Sequence, residues 1–170
     1  PDDDWRLIFG LARFCGMRCP SEVLTLKWTD VLWDKSKLRI DSPKTGLRFC
    51  PIFPELYPIL LRASENAPDG ATFCVQRYRR GYNPGTTMTK IIEKAGHEPW
   101  PKVFINLRST RRTELERVYP NHVVNRWLGH GRGVAEKHYL QVTETDWSEG
   151  ATKPTIDLPE PGGNAGGNRP

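Results

Sequence analysis

The sequence predicts a mainly helical α+β fold, with a small three-stranded antiparallel sheet near its N-terminal end. Apolar residues recur at helical spacing in most segments, as in Leu7, Ile8, Leu11 and Cys15. Residues 31–53 alternate instead, and turn signals punctuate them. At 170 residues, 37% hydrophobic and 26% charged, the chain suits one water-soluble domain with a real core. No apolar run approaches the ~20 residues of a membrane helix, so no membrane partner is expected.

Asp2 to Asp4 offer an N-cap and N-terminal acids for a first helix, which Gly16 ends. Pro20 suits the first turn of a second, short helix that buries Val23, Leu24 and Leu26. Residues 31–33, 38–41 and 47–53 are the strands, turned at Asp34-Lys35-Ser36 and Pro43-Lys44-Thr45-Gly46. Lys44 therefore stands at or near a hairpin tip. Pro54 opens a helix with Leu56, Ile59, Leu60 and Ala63 apolar. A brief extended piece over 72–75 leads into Arg77, Arg79 and Arg80, with Tyr78 and Tyr82 among them. Asn83-Pro84-Gly85 starts a helix ended by Gly96. Asn106 is read as the N-cap of a helix over 107–118. Another helix runs through Val123, Val124, Trp127 and Leu128 and stops at Gly129. A last short helix over 134–142 holds Tyr139. From Gly150 onward Pro and Gly dominate, which predicts a tail of residues 150–170 beyond a domain of residues 1–149.

The formal net charge of +5 permits a polyanionic partner without requiring one. Cys15, Cys19, Cys50 and Cys74 show no Cys-x-x-Cys spacing. They read as reduced core thiols of a cytoplasmic protein, more readily than as zinc ligands or disulfides. The opening Pro1-Asp2-Asp3-Asp4 has no initiator Met and no signal-peptide pattern, so a piece of a longer protein is expected.

Five residues are candidates for chemistry, and each has a plainer reading. Arg18 lies between a glycine-ended helix and a proline-started one, where a side chain enters a cleft beside a helix N-terminus that favours anions; it also suits an exposed arginine, or one paired with Glu22. Lys44 is either a reachable acid or a solubilising turn lysine. Arg108, with Arg111 and Arg112 behind it, is either an anion site or a solvated basic face, since cations at a helix start oppose its dipole. His130 is either a phosphate ligand or a helix cap, and Tyr139 either a nucleophile or packing.

The order of these residues resembles the catalytic domain of the tyrosine recombinase (phage integrase) family. Gly16-Met17-Arg18 with Ser21-Glu22-Val23-Leu24 and Leu26-Lys27-Trp28-Thr29-Asp30-Val31 looks like that family's first arginine motif. Ser42-Pro43-Lys44-Thr45-Gly46 looks like its hairpin lysine. Asn106-Leu107-Arg108-Ser109-Thr110 resembles its His-x-x-Arg motif, with Asn106 standing where the family usually has histidine. Trp127-Leu128-Gly129-His130, followed by Tyr139, looks like its Leu-Gly-His and nucleophile. Glu22 follows Arg18 by four residues, one more than the common pattern. The resemblance covers roughly residues 5–142.

The resemblance implies site-specific DNA recombination through a covalent 3′-phosphotyrosyl intermediate. Arg18 and Arg108 would bind the phosphate, Lys44 would be the general acid, and His130 would donate to a phosphate oxygen. Asn106 would orient the phosphate or cap its helix, Glu22 would support Arg18, and Tyr139 would be the nucleophile. Neither cofactor nor metal is implied. Double-stranded DNA is the expected partner, and Arg77, Arg79, Arg80, Arg111 and Arg112 are candidate phosphate contacts. A homotetramer on DNA, a preceding DNA-binding domain and a cytoplasmic, nucleoid-associated location are further implications. Two alternatives stay open: a type IB topoisomerase-like activity, and a catalytically impaired relic that only binds DNA.

Overall fold

Asp2 caps helix α1 (Asp3–Phe14) by accepting a hydrogen bond from the Trp5 amide at 2.9 Å, and Asp3 and Asp4 complement the helix dipole. The computed structural model describes residues 2–79, 81–129 and 142–156. Leu7, Ile8, Leu11 and Ala12 form the buried stripe of α1, and Cys15 at its C-terminal cap is buried with them.

The helix expected after Pro20 is only a short 3-10 turn, Val23–Thr25. The chain straightens at Leu26, whose carbonyl accepts from Cys74, while the Trp28 amide donates to Thr72. Two extended segments pair there, and that pairing ends the turn.

The sheet has the order β1-β2-β3 and is antiparallel throughout: β1 (Val31–Leu32), β2 (Lys37–Ser42) and β3 (Gly46–Pro51). Ile40 faces Arg48 across the β2–β3 pair, and Ser42 faces Gly46. Lys44 is therefore at the hairpin turn, as expected, and is exposed.

Helices α2 (Tyr57–Glu65) and α3 (Pro84–Lys94) follow, the latter capped by Asn83 as its Asn-Pro-Gly start predicts. Helix α4 spans Val103–Glu116 and begins earlier than its sequence implies. Val103, Leu107, Arg111 and Leu115, four apart, make one buried stripe, so burial of Val103 decides where α4 starts. Asn106 is inside the helix and is not its N-cap; its amide donates to the Pro101 carbonyl at 2.7 Å.

Helix α5 (Asn121–Leu128) ends at Gly129 in the left-handed conformation, φ +65°. Its Trp127 is fully buried against Phe53 and Tyr119. The helix expected over 134–142, with His130 and Tyr139, lies outside the described residues except for Val142.

A helix that sequence reading missed, α6 (Glu144–Thr152), crosses the expected boundary at 149/150. Thr143 and Asp146 cap it reciprocally. Trp147 packs on Trp127 with ring centroids 5.9 Å apart, and Gly150 is buried against Pro51 and Trp127. Packed chain continues to Ile156. Among the described residues no helix is long and apolar enough to cross a membrane.

Candidate active site

Three arginines from three different elements converge on the C-terminal end of α5. Arg48 of β3 donates its Nε to the Trp127 carbonyl at 3.0 Å. Arg108 of α4 donates to the Leu128 carbonyl. Arg18, in the loop after α1, donates to the Gly129 carbonyl at 3.0 Å. The last carbonyls of a helix lack intrahelical partners and carry the negative end of its dipole, so cations are favoured there. Arg108 also donates to the Gly16 carbonyl, which ties α4 to the loop holding Arg18.

One buried carboxylate organises two of these cations. Glu22 Oε1 accepts from Arg18 at 2.6 Å and from Arg48 at 3.0 Å. Its Oε2 accepts from the Arg18 backbone amide at 2.9 Å and from Arg48 at 2.6 Å. Burial pushes the Glu22 pKa up, but the hydrogen bonds and charge of Arg48, then those of Arg18, outweigh it and hold it at about 2. Glu22 is thus ionised at neutral pH. Three guanidiniums then face one carboxylate, a surplus of positive charge. Burial, then the neighbouring Arg18 and Arg48, pull Arg108 down to about 10, which leaves it charged at neutral pH.

The hairpin joins the same cluster. Arg18 Nη1 lies 3.3 Å from Thr45 Oγ1 and 3.5 Å from Ser42 Oγ, the residues flanking the turn that presents Lys44. The Arg18 side chain keeps 22% of its surface exposed, whereas Arg48 keeps 3%. Arg18 can reach a ligand and Arg48 cannot.

The expected Arg18, Glu22 and Arg108 are therefore brought together, with the Lys44 hairpin beside Arg18. The pairing of Arg18 with Glu22, expected as its plainer alternative, is part of the same arrangement. Asn106 is not brought to the cluster. It precedes Arg108 by two residues, about 200° around a helix, and its exposed side chain is turned to Pro101. The three-residue spacing of a His-x-x-Arg motif, counted back from Arg108, lands on Ile105. Residues three apart share a helix face, so Ile105, 64% exposed, stands on the Arg108 face of the helix and Asn106 does not.

Four of the basic residues read as DNA contacts, those among the described residues, have other partners. Arg111 is fully buried, donates to the Phe14 carbonyl at 2.6 Å, and lies over the Phe53 ring with Glu55 and Glu114 beside it. It is a core residue and not a phosphate contact. Arg77 is paired with Asp2 and Asp4, Arg79 donates to the Val75 and Tyr78 carbonyls over Phe73, and Arg112 is paired with Glu116. Arg80 lies outside the described residues. Tyr78 and Tyr82 stack on each other against Trp5, facing the core.

Sequence reading missed Arg48. The available signal is its place in the strand alternation: it shares the inward face with Cys50 and sits opposite buried Ile40. An arginine there requires a buried acceptor.

A helical domain carrying a hairpin lysine beside two helix-end arginines has the fold of a tyrosine-recombinase catalytic domain. Among the solved structures it is similar to are complexes of the Tn1549 transposon integrase. One, with circular intermediate DNA, is 22% identical at a TM-score of 0.57, covering 82% of this chain and 55% of that chain. An arginine-to-lysine variant on another circular intermediate gives 22% and 0.59 over the same shares. A tyrosine-to-phenylalanine variant on transposon right-end DNA gives 22% and 0.57, covering 84% of this chain and 56% of that chain. The chain thus spans about half the length of the solved structures it matches. No family model and no curated protein matches it.

Proposed function

We propose that this chain is the catalytic part of an integrase-type, site-specific DNA recombinase. The observation that carries this reading is the convergence of Arg18 and Arg108 on the Gly129 and Leu128 carbonyls, directly before His130. A phosphodiester in transfer gathers charge on its non-bridging oxygens, and paired guanidinium donors stabilise that charge.

In this reaction the Tyr139 hydroxyl attacks the phosphorus. The phosphorus–O5′ bond breaks, leaving a 3′-phosphotyrosyl link and a free 5′-hydroxyl. Lys44 on its hairpin protonates the leaving oxygen, an effect of ~10²–10⁴-fold. His130 donates to a phosphate oxygen. The Tyr139 hydroxyl loses its proton to water with help from the positive cluster. A second DNA end reverses the step without external energy, because the covalent link conserves that of the broken bond. Double-stranded DNA is the partner and the full-length protein works as a homotetramer. Arg77, Arg79, Arg80 and Arg112 remain candidate phosphate contacts, reached by giving up their internal pairs where they have them.

The test is a nicked suicide duplex bearing the recombination site, offered to the full-length protein. Wild type traps a covalent adduct, and Tyr139→Phe does not. One observation favours a second reading, a relic that binds DNA without cutting it: Ile105 cannot donate, accept or carry a proton. DNA binding by wild type without any adduct would establish that reading.

A further inference from the structure

We infer that Arg48 is a positioning residue for the transfer site, fixing Arg18 through Glu22 and the end of α5 through the Trp127 carbonyl. The inference rests on the recombinase reading and assigns a role to a residue outside its catalytic set. Arg48 is too buried to touch a phosphate. Its fork spans both oxygens of Glu22, at 3.0 and 2.6 Å, and its Nε reaches Trp127 O at 3.0 Å. The same two carboxylate oxygens hold the Arg18 guanidinium and the Arg18 backbone amide. Glu22 is therefore the fixed point between the two arginines, and Arg48 holds it from behind.

The second hold is on the helix end. Trp127 O is two residues before Gly129, whose own carbonyl receives Arg18. Arg48 thus sets the distance between the arginine that reaches a ligand and the point where the chain leaves α5 towards His130. Lysine cannot reproduce this, because one ammonium cannot span a carboxylate and a carbonyl in fixed planar geometry. Among the described residues, the charged groups facing Glu22 are Arg18 from the loop, Arg48 from β3 and Arg108 from α4. Without Arg48, burial acts on Glu22 against weaker opposition and the carboxylate protonates at higher pH.

The experiment uses full-length protein, wild type and the variants Arg48→Lys and Arg48→Gln, on the suicide duplex. It measures DNA affinity, melting temperature and the rate of adduct formation against pH. Both variants are expected to form adduct about 10–100-fold more slowly, as for other supporting-shell changes, while DNA affinity stays within about threefold because Arg48 makes no phosphate contact. Arg48→Gln gains a loss of rate towards acid pH that wild type lacks. Arg48→Lys, which keeps the charge, is slow without that acid loss. Wild-type rates in both variants would overturn the inference, and so would affinity and rate falling in parallel with melting temperature. If Arg48→Gln does not fold, an unchanged rate in folded Arg48→Lys overturns it alone. No adduct from wild type overturns the recombinase reading itself, and this inference with it. Adduct from wild type with unaffected variants overturns only the inference.

Discussion

Gly129 lies directly against Arg48: a Cβ at Gly129 would stand 2.8 Å from Arg48 Cδ and 3.1 Å from its Nε. The residue also holds φ +65°, a conformation that side chains resist. Arg48 cannot retreat, because Glu22 and the Trp127 carbonyl fix its fork. Gly129→Ala is expected to destabilise the domain by about 1–3 kcal/mol, the range for strain at a special backbone position. Denaturant unfolding at neutral pH measures it. A change below about 0.5 kcal/mol, the ordinary surface range, would show that the contact relaxes freely.

The spacing around Arg108 separates two neighbouring positions. Ile105 lies three residues before Arg108 on the same helix face, and Asn106 lies two before, turned to Pro101. Ile105→His is expected to raise the rate of adduct formation about 10-fold or more, by supplying a donor and proton carrier beside the phosphate arginines. Asn106→His is expected to leave the rate unchanged. Single-turnover cleavage of the suicide duplex distinguishes them. The reverse outcome would place Asn106, not Ile105, at the phosphate.

Much of this arrangement was legible in the sequence, for physical reasons that also mark where legibility stopped. The β2–β3 hairpin was readable because Pro43-Lys44-Thr45-Gly46 interrupts an alternating pattern, and both the turn and Lys44 stand where expected. The end of α5 was readable from Gly129. Helix α4 was misread at its start because asparagine favours N-caps, while burial of Val103 drew the helix further back. Arg111 was misread because three arginines in one stretch look solvated, and only the packing of α1 and α4 shows that one points inward. Arg48 was missed because a buried charge becomes apparent only with its partner, and Glu22 is 26 residues away in sequence. Helix α6 was missed because its glycine serves close packing while reading as linker.

The buried place of Arg111 predicts a stability effect without a DNA effect. Its guanidinium lies 4.3 Å from the Phe53 ring centroid, and Glu55 lies within 3.5 Å. Arg111→Met leaves Glu55 buried with its charge uncompensated, which costs roughly 3–5 kcal/mol. The double change Arg111→Met with Glu55→Gln is expected to recover part of that loss. In a folded variant the slope of log affinity against log salt is expected to stay at the wild-type value, whereas loss of a phosphate contact lowers it by about 1. A lowered slope in folded Arg111→Met would return this residue to the DNA surface.

Glu22 predicts a defined acid sensitivity. Its pKa falls from an ordinary 4.5 to about 2 on folding, because Arg48 and Arg18 outweigh the effect of burial. A depressed carboxyl pKa contributes stability that is fully present above the unfolded value and lost as pH falls through the folded one. The contribution is therefore complete above pH ~5 and disappears between about 4.5 and 2, on the order of 3 kcal/mol. Glu22→Gln is expected to be less stable than wild type at pH 7, with the gap narrowing across that acid window. Urea unfolding at fixed temperature and several pH values measures both. A gap that stays constant down to pH ~2 would show that Glu22 is not the group responsible.

The last helix predicts where the folded unit ends. Gly150 admits no side chain, since a Cβ there would stand 2.8 Å from Pro51 Cγ and 2.9 Å from Trp127 Cη2. Beyond it, the Thr155 amide and hydroxyl both donate to Glu55 Oε1 at 3.1 Å, closing the site around Arg111. A chain ended at residue 149 loses Gly150, the last turn of α6 and both donors to Glu55. It is expected to be less stable than a chain ended at 156 by roughly 1–3 kcal/mol, the usual consequence of leaving a buried acceptor short of donors. Gly150→Val in the full chain is expected to act in the same direction by pushing α6 off Trp127, and Trp147 fluorescence would report the displacement. Equal stability of the two shortened chains, with an unchanged Trp147 signal in Gly150→Val, would show that α6 adds nothing to the fold.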